Sequence, residues 1–166
     1  MRIGIGYDAH QLTENETLIL GGVNIAHAKG LAGHSDADVL VHAIMDALLG
    51  ALALQDIGKH FPDQEEQYKN ARSIDLLRQV YRFIHEAGYE VVNIDSTIVA
   101  QKPRLADYMD EMRKNIAQSL HTAVENVSVK ATTEEQMGFT GREEGISAQA
   151  VCLLKKFEKK TGDEKK

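Results

Sequence analysis

The chain has 166 residues, of which 43% are hydrophobic and 5% aromatic, and this length and composition predict one domain with an aliphatic core. Its net charge of −6 argues against a nucleic-acid partner, because nucleic-acid binders usually carry a basic face. No stretch is apolar enough to span a membrane, the single cysteine excludes an intramolecular disulfide, and the N-terminus lacks a signal or transit pattern, so we expect a soluble cytoplasmic protein.

The N-terminal half of the chain is predicted to run from strand to helix. The first ten residues alternate between two faces in the manner of a strand, and one face combines Asp8 and His10 with glycines. We expect these glycines to leave room for something other than side chains. Further predicted elements are strands at 18–20 and 23–25, a loop at 27–35 and a helix from 36 to 54. Ser35 or Asp36 is expected to cap that helix.

The C-terminal half is predicted to continue with interspersed helices and strands. In chain order the pattern predicts a mobile loop over 55–70, a helix from 74 that Gly88 ends, and a strand over 89–100 with Val92, Ile94, Ile98 and Ala100 on one face. A helix over 105–120, a strand over 127–131, a glycine-rich loop over 138–145 and a last strand over 146–154 follow. We interpret residues 1–156 as a single catalytic domain and residues 157–166 as a charged, disordered tail. These elements predict a two-layer α+β domain with helices on one sheet face, the other face being left for a partner subunit.

Three side chains from two predicted elements form a candidate metal site. Asp8 and His10 are two residues apart on a strand, so both point the same way, and His42 lies on the following helix. One aspartate and two histidines leave the fourth position of a tetrahedral ion open, which is typical of catalytic zinc. Asp46 lies one helical turn after His42 and either orients its imidazole or touches substrate. The alternative is that all of these are ordinary hydrogen-bonded side chains.

Two further segments are candidate anion sites, each with an ordinary structural alternative. His34 and Ser35 stand where a loop meets the predicted helix N-terminus, whose N–H groups attract phosphate. The alternative is a helix cap beside a surface histidine. Thr132 and Glu135 have the spacing of a capping box; alternatively, the threonine hydroxyls bind phosphate while Glu135 ligates magnesium.

Two more segments contribute an aromatic ring, cations and free backbone groups. The glycine-rich loop contains Phe139 and Arg142, and an arginine suits phosphate or carboxylate, although the segment also fits a surface turn. Residues 100–106 join a strand to a helix, and their backbone groups either read a nucleobase edge or form an ordinary connection. A metal site and several anion sites in one acidic chain together indicate chemistry on a diphosphate.

Several motifs follow one another in the register of a known family, from residue 1 to about residue 155. They are Met-Arg-Ile-Gly-Ile-Gly-Tyr-Asp-Ala-His at 1–10, Gly-Gly-Val at 21–23, His-Ser-Asp-Ala-Asp-Val at 34–39, His-Ala at 42–43, Asp-Ala-Leu-Leu-Gly at 46–50, Asp-Ile-Gly-Lys at 56–59, Phe-Pro-Asp at 61–63, Lys-Ala-Thr-Thr at 130–133 and Gly-Phe-Thr-Gly-Arg at 138–142. In these motifs the chain resembles the 2-C-methyl-D-erythritol 2,4-cyclodiphosphate synthase family.

The resemblance implies an α+β, ferredoxin-like domain whose sheets pack in a homotrimer, with active sites between adjacent subunits. It implies conversion of 4-diphosphocytidyl-2-C-methyl-D-erythritol 2-phosphate to the 2,4-cyclodiphosphate with release of CMP, a phosphorus–oxygen lyase reaction of the non-mevalonate isoprenoid pathway. It places zinc on Asp8, His10 and His42, and magnesium or manganese on the diphosphate near Glu135. The rival hypotheses are a zinc-dependent phosphohydrolase of a nucleotide diphosphate compound and a small oligomeric binding domain.

The resemblance also implies a role for each matching residue. His34 and Thr133 would be catalytic. The implied substrate contacts are Asp8, His10, His34, Ser35 and Asp46; Asp56, Ile57 and Gly58 at the erythritol; Phe61, Pro62, Asp63, Gln64 and Glu65 in a closing loop; Ala100, Gln101, Lys102, Pro103, Arg104, Leu105 and Ala106 with Thr132 at the cytidine; and Thr133, Glu134, Glu135, Phe139 and Arg142. Phe139 and Arg142 would also line a threefold channel that could hold a downstream isoprenoid diphosphate.

Overall fold

The structure is a computed structural model that describes residues 1–157, so the predicted tail lies, from residue 158 on, outside the described residues. The elements in chain order are β1 (Arg2–Glu14), β2 (Leu18–Leu20), β3 (Val23–Ile25), β4 (Lys29–Leu31), α1 (Val39–Ala51), α2 (Ile57–His60), α3 (Ser73–Glu86), β5 (Tyr89–Val99), α4 (Met109–Ser119), β6 (Val127–Thr132), α5 (Gly138–Gly141) and β7 (Gly145–Lys156). Short 3₁₀ turns are Glu66–Tyr68, Ala106–Tyr108 and Val124–Asn126. Among the described residues, no helix is long and apolar enough to cross a bilayer.

A five-stranded sheet forms one layer of the molecule, with the strand order β4-β1-β7-β5-β6. β5 and β6 are parallel, whereas the other neighbouring strands are antiparallel. The second layer consists of α1, α3 and α4, and α1 packs on β1 and β7. The predicted mixed α and β architecture is therefore confirmed. β2 and β3 form a separate hairpin.

Two glycines on β1 let α1 approach the sheet closely. A Cβ added to Gly4 would lie 1.9 Å from the carbonyl oxygen of Ala47, and one added to Gly6 would lie 1.9 Å from that of Ala43. These glycines were expected to leave room for something other than side chains, and the backbone of α1 fills that space. The close packing has a second consequence: it brings His42 on α1 against the polar side chains further along β1.

A fully buried aspartate, Asp38, caps α1 and ties it to the β2–β3 hairpin. Its carboxylate accepts three backbone N–H groups, from Val41 at 3.1 Å, Gly21 at 3.0 Å and Gly22 at 2.7 Å. The prediction that Ser35 or Asp36 caps this helix is wrong, because donors from the distant hairpin select Asp38 instead. Burial is the largest influence on Asp38 and raises its pKa to about 6, although the hydrogen bonds act in the opposite direction.

Two strand features depend on pairing rather than on local pattern. β4 lies inside the predicted 27–35 loop, where Leu31 pairs with Leu12 near the end of β1. In β5 the register with β7 shifts just after Val91. One extra residue at such a bulge reverses the alternation that follows it. Val91 is therefore buried together with Ile94, Ile98 and Ala100, and the prediction that Val92 shares the face of these three residues is wrong.

Three segments differ locally from their predicted structure. The 55–70 segment contains α2 and a 3₁₀ turn, and Asp56 caps α2 by accepting the N–H of Lys59 at 3.0 Å. Its mobility stays a prediction. The predicted 105–120 helix begins with a 3₁₀ turn and becomes α-helical only at α4, and the glycine-rich 138–145 segment contains α5.

Cys152 lies in the core, as its apolar neighbours predicted, with an exposed fraction of 1%. Its thiol donates to the carbonyl oxygen of Ala47 at 3.2 Å. Burial raises the pKa of this thiol to about 11. A nucleophilic role is disfavoured, because the thiolate is the reactive form.

Candidate active site

Asp8, His10 and His42 converge at the contact between β1 and α1. Asp8 Oδ2 lies 3.0 Å from His10 Nε2 and 2.9 Å from His42 Nδ1, and the two imidazole nitrogens are 3.1 Å apart. A tetrahedral ion with bonds of about 2.0–2.1 Å would hold its ligand atoms about 3.3 Å apart, so only a small outward movement is needed. The donor set therefore fits a divalent metal ion, as the sequence predicted.

The electrostatics of the cluster keep Asp8 ionised. Burial disfavours the carboxylate, but hydrogen bonds from His10 and His42, together with their charges, outweigh burial and lower the pKa of Asp8 well below its usual range. Burial of His10 lowers its pKa, but the hydrogen bond and negative charge of Asp8 outweigh burial. The pKa of His10 is therefore raised above its ordinary value. A carboxylate that stays ionised is ready to act as a metal ligand.

The two histidines present different ring nitrogens to the cluster, and each has a partner behind it. His10 Nδ1 donates to the carbonyl oxygen of Ala32 at 2.8 Å, so a metal that displaces the proton between His10 Nε2 and Asp8 would find the Nε2 lone pair facing the cluster. His42 faces the cluster with Nδ1, and its Nε2 lies 2.9 Å from Ser73 Oγ. Sequence reasoning missed Ser73, because it comes from α3 and carries no signal that links it to His42.

Of the two roles predicted for Asp46, orienting the imidazole of His42 is wrong, and contact with substrate stays a prediction. Asp46 Oδ1 instead accepts the N–H of Ile57 at 2.8 Å and so anchors the start of α2. Burial raises the pKa of Asp46, with the hydrogen bond from Ile57 acting against it. Helical spacing places Asp46 on the same side of α1 as His42. The ring nitrogen of His42 that faces away from the cluster, Nε2, points instead to Ser73 on α3.

A cavity of about 260 Å³ opens beside the cluster. The residues that were predicted to belong to the site and that line this cavity are Asp8, His10, His34, Ser35, His42, Ile57, Gly58, Phe61 and Asp63. Residues that sequence reasoning missed and that also line it are Gly33, Met45, Tyr68 and Leu76. Asp46, Asp56, Pro62, Gln64 and Glu65 do not line it. We call this space the metal cavity.

His34 and Ser35 reach the metal cavity from a loop and not from a helix end. α1 begins only at Val39, and the buried Asp38 already occupies its N-terminus, so the predicted position of His34 and Ser35 at a helix N-terminus is wrong. Phosphate binding by these two residues stays a prediction. His34 Nε2 lies 3.4 Å from the carbonyl oxygen of Glu65. This contact connects the segment to the loop that follows α2.

A second cavity, of about 530 Å³, lies where β5 and β6 end side by side. It is lined by Ala100, Gln101, Lys102, Pro103, Arg104, Leu105, Ala106, Met109, Ala131, Thr132, Thr133 and Glu135. The parallel pairing of Val99 with Thr132 explains why two segments distant in the chain meet here. We call this space the nucleotide cavity, after the ligand that the 100–106 segment was predicted to bind.

The capping-box interpretation of Thr132 and Glu135 is wrong, because no helix begins there. Thr132 ends β6. Thr133 Oγ1 instead accepts the N–H of Glu135 at 3.3 Å and lies 2.7 Å from its Oε1, so the two residues close a local turn. The neighbouring Glu134 turns away and accepts a hydrogen bond from Thr140.

Phe139 and Arg142 line neither of these two cavities. Phe139 is 38% exposed and borders a separate hollow that also contacts His10. The Arg142 guanidinium pairs with Glu144 through contacts of 2.8 and 3.3 Å, and this hydrogen-bonded pair raises the pKa of the arginine. Phe139, within α5, and Arg142, directly after α5, are thus both exposed.

A profile of the YgbB family matches residues 1–155 of the chain. The chain belongs to the YgbB family. A relative named 2-C-methyl-D-erythritol 2,4-cyclodiphosphate synthase, from Clostridioides difficile (strain 630), is 61% identical over 93% of this chain and 96% of its own length. A relative of the same name from Finegoldia magna is 64% identical over 94% of this chain and 98% of its own length. The resemblance found in the sequence motifs is thereby confirmed.

Solved structures of other proteins share the fold of this chain. The bifunctional IspDF from Campylobacter jejuni matches with a TM-score of 0.91 at 44% identity, over 95% of this chain and 42% of that longer chain. The CDP complex of IspF from Plasmodium falciparum matches with a TM-score of 0.83 at 35% identity, over 95% of this chain and 97% of that chain. At 44% and 35% sequence identity, both likenesses agree with the family assignment.

Proposed function

We propose that this chain is a 2-C-methyl-D-erythritol 2,4-cyclodiphosphate synthase. It converts 4-diphosphocytidyl-2-C-methyl-D-erythritol 2-phosphate to the cyclic diphosphate and CMP, as a phosphorus–oxygen lyase in isoprenoid precursor biosynthesis. The observation that carries the proposal is the cluster of Asp8, His10 and His42 beside an open cavity, in a chain 61% and 64% identical to relatives of that name.

The chemistry asks the protein for positioning and charge rather than for an activated side chain. The nucleophile is the 2-phosphate of the substrate, which is already anionic at neutral pH. The protein must hold it against the β-phosphate although the two groups repel each other. Divalent ions would supply the positive charge that offsets this repulsion. We propose His34 and Thr133 as the catalytic residues that donate to the phosphates, from the metal cavity and the nucleotide cavity respectively.

We propose different ions for the two cavities. Zinc suits Asp8, His10 and His42, because nitrogen and oxygen donors in a tetrahedral arrangement with an open position are typical of its catalytic sites. Glu135 offers a single exposed carboxylate at the nucleotide cavity. That donor suits magnesium or manganese when substrate phosphates complete the coordination shell.

The parts of the substrate are proposed to divide over the two cavities. The erythritol and its phosphate would occupy the metal cavity, beside Ser35 and Gly58, and the 61–65 segment would close over them. The cytidine would lie in the nucleotide cavity, where the backbone of residues 100–106 runs past Thr132. The Plasmodium falciparum structure is a CDP complex, which supports a cytidine diphosphate compound as ligand class.

We propose a homotrimer of ferredoxin-like domains with active sites shared between adjacent subunits. The sheet face opposite the helices exposes Ile3, Ile5 and Tyr7 by 71%, 72% and 53%, and a contiguous apolar surface of this kind favours burial against a partner. Among the described residues, none lines both the metal cavity and the nucleotide cavity. A neighbouring subunit could join them. Phe139 and Arg142 would then line a threefold channel that could hold an isoprenoid diphosphate.

Ile5→Asp is expected to dissociate this homotrimer into monomers. A charge at the centre of the apolar face opposes its burial, because an unpaired charge is costly to remove from water. Sedimentation velocity should report a trimer for the wild-type chain and a monomer for the variant, with an unchanged circular dichroism spectrum. Ala26→Asp adds the same charge at an exposed residue after the β2–β3 hairpin and should stay trimeric. A monomeric wild-type chain would count against the proposal.

Phosphorus NMR of the products tests the reaction itself. With the diphosphocytidyl substrate and divalent ions, the wild-type chain should form the cyclic diphosphate and CMP, and a chelator should abolish both. Labelled water separates this reaction from a phosphohydrolase, because cyclisation incorporates no solvent oxygen whereas hydrolysis does. Labelled oxygen in the product would favour the hydrolase, and binding of a cytidine diphosphate compound without turnover would favour a binding domain.

The remaining features are proposed from the sequence. We propose that residues 1–156 form a single catalytic domain and that the protein is cytoplasmic. The net charge of −6 supports a protein that works on a small molecule and has neither a nucleic acid nor a membrane as partner.

A further inference from the structure

The imidazole of His42 is held on both of its nitrogens, and only one of them faces the metal cluster. Nδ1 lies 2.9 Å from Asp8 Oδ2. Nε2 lies on the opposite side of the ring, 2.9 Å from Ser73 Oγ in a buried contact. Ser73 is the first residue of α3 and is fully buried. The partner behind this metal ligand therefore comes from an element that contributes nothing else to the cluster.

Asp36 takes the single hydroxyl proton of Ser73. Ser73 Oγ lies 2.5 Å from Asp36 Oδ1, and the same carboxylate accepts the Ser73 backbone N–H at 3.1 Å from each of its oxygens. An ionised carboxylate can only accept hydrogen bonds, and a hydroxyl that donates to one forms a strong, charge-assisted bond. Ser73 Oγ is thus left as an acceptor towards His42.

We propose that Ser73, held by Asp36, is a positioning residue: when a metal ion displaces the proton between His42 Nδ1 and Asp8, Ser73 keeps the remaining proton of His42 on Nε2 and so presents the Nδ1 lone pair to the metal. A neutral imidazole carries one proton, so a donor at Nε2 is a free acceptor at Nδ1. The same hydrogen bond fixes the rotation of the ring. The inference rests on the proposed function only in taking zinc as the ion that His42 binds.

Ser35 is a neighbour of the same nitrogen but does not select a protonation state. Its Oγ lies 3.2 Å from His42 Nε2 and accepts the N–H of Ala37 at 3.2 Å. No carboxylate contact in the described structure commits its hydroxyl proton, so Ser35 can donate or accept. Ser73 and Asp36 therefore determine which ring nitrogen of His42 carries the proton.

Zinc affinity and the proton signal of His42 test the proposal without any measurement of turnover. The full-length chain is titrated with zinc against a chromophoric chelator, and the Nε2–H resonance of His42 is followed by nitrogen-15 NMR in the zinc-loaded protein. We expect Ser73→Ala to weaken zinc binding about 10- to 100-fold, the usual effect of losing the partner of a metal-bound histidine. The Nε2–H proton should also exchange faster with solvent.

Two further variants complete the design. Asp36→Asn keeps the size of the side chain but replaces the acceptor by an amide that can donate to Ser73, so zinc binding should weaken less than in Ser73→Ala. Ser96→Ala is the matched control, because it removes another buried hydroxyl, one that donates to the carbonyl oxygen of Ser128 at 2.8 Å. It should leave zinc affinity and the His42 signal at wild-type values.

The outcomes separate this inference from the proposed function. Wild-type zinc affinity and an unchanged Nε2–H signal in folded Ser73→Ala would overturn the inference while the cyclase proposal stands. If Ser73→Ala fails to fold, the same result in Asp36→Asn overturns it. A wild-type chain that binds no zinc would overturn the proposed zinc site, and this inference with it.

Discussion

Replacing His42 with alanine is expected to abolish metal binding and product formation together. The imidazole supplies one of three ligand atoms, 2.9 Å from Asp8 Oδ2 and 3.1 Å from His10 Nε2. Without it the site keeps only one carboxylate and one imidazole, which is fewer than the three protein ligands usual at catalytic zinc. We expect metal affinity to fall by more than about 100-fold, because even the loss of a partner behind a ligand costs up to that much.

Metal content and product formation should be measured on the same preparation of His42→Ala, by atomic emission and by phosphorus NMR. His27→Ala is the matched control, because it removes an imidazole that lies outside the cluster. It should keep metal and activity at wild-type levels. A His42→Ala chain that is free of metal yet turns over at the wild-type rate would refute the role of the cluster.

Asp38→Ala is expected to lower the free energy of unfolding by about 3 kcal/mol or more. The carboxylate is fully buried, and its removal leaves three backbone donors without their acceptor, those of Gly21, Gly22 and Val41. A buried donor left unpaired costs about 1–3 kcal/mol, and the lost helix cap is part of this cost. Part of this loss of stability is offset, because the variant no longer buries a carboxylate. The cost of that burial is visible in the pKa of Asp38, which burial raises to about 6.

Urea unfolding of the metal-free protein measures this change. Asp56→Ala is the control, because it also removes a helix cap but at an exposed site with one donor at 3.0 Å, and it should cost less than about 1 kcal/mol. The pH dependence gives a second signature. The folded pKa of Asp38 lies above its ordinary value of 3.8, so the native state holds that proton more tightly.

The contribution of Asp38 to stability should consequently fall as the pH rises from about 4 to about 6, and the difference between wild type and Asp38→Ala should shrink over that window. A difference that grows with pH would contradict the assignment. Equal stability of the two chains at every pH would show that the three N–H groups find other partners.

The members of the metal cluster were predictable because each obeys a local rule. Asp8 and His10 share a face through the two-residue period of a strand, and His42 lies on a helix whose apolar period is strong. Spacing alone left an ordinary hydrogen-bonded interpretation open, and the resemblance of the motifs decided between the two. What joins strand and helix physically is the contact of Gly4 and Gly6 with the backbone of α1.

The partners of the cluster were not predictable in the same way. Helical spacing left Asp46 either to orient His42 or to touch substrate, but the rotation of the ring turns its Nε2 to Ser73 on α3. Local sequence favoured Ser35 or Asp36 as the cap of α1, whereas donors from a distant hairpin select Asp38. In both cases the deciding atoms belong to segments that are far away in the chain.

The sequence by itself determined the alternating β1, the long helices α1 and α3, the family and the members of the candidate metal cluster, because periodicity and motif order are properties of neighbouring residues. Only the tertiary structure decided which polar groups face one another: Ser73 behind His42, Asp38 beneath the hairpin, and two separate cavities for residues that the motifs had implied as one site. Hydrogen bonds depend on distances of about 3 Å, and such distances arise only when distant segments pack.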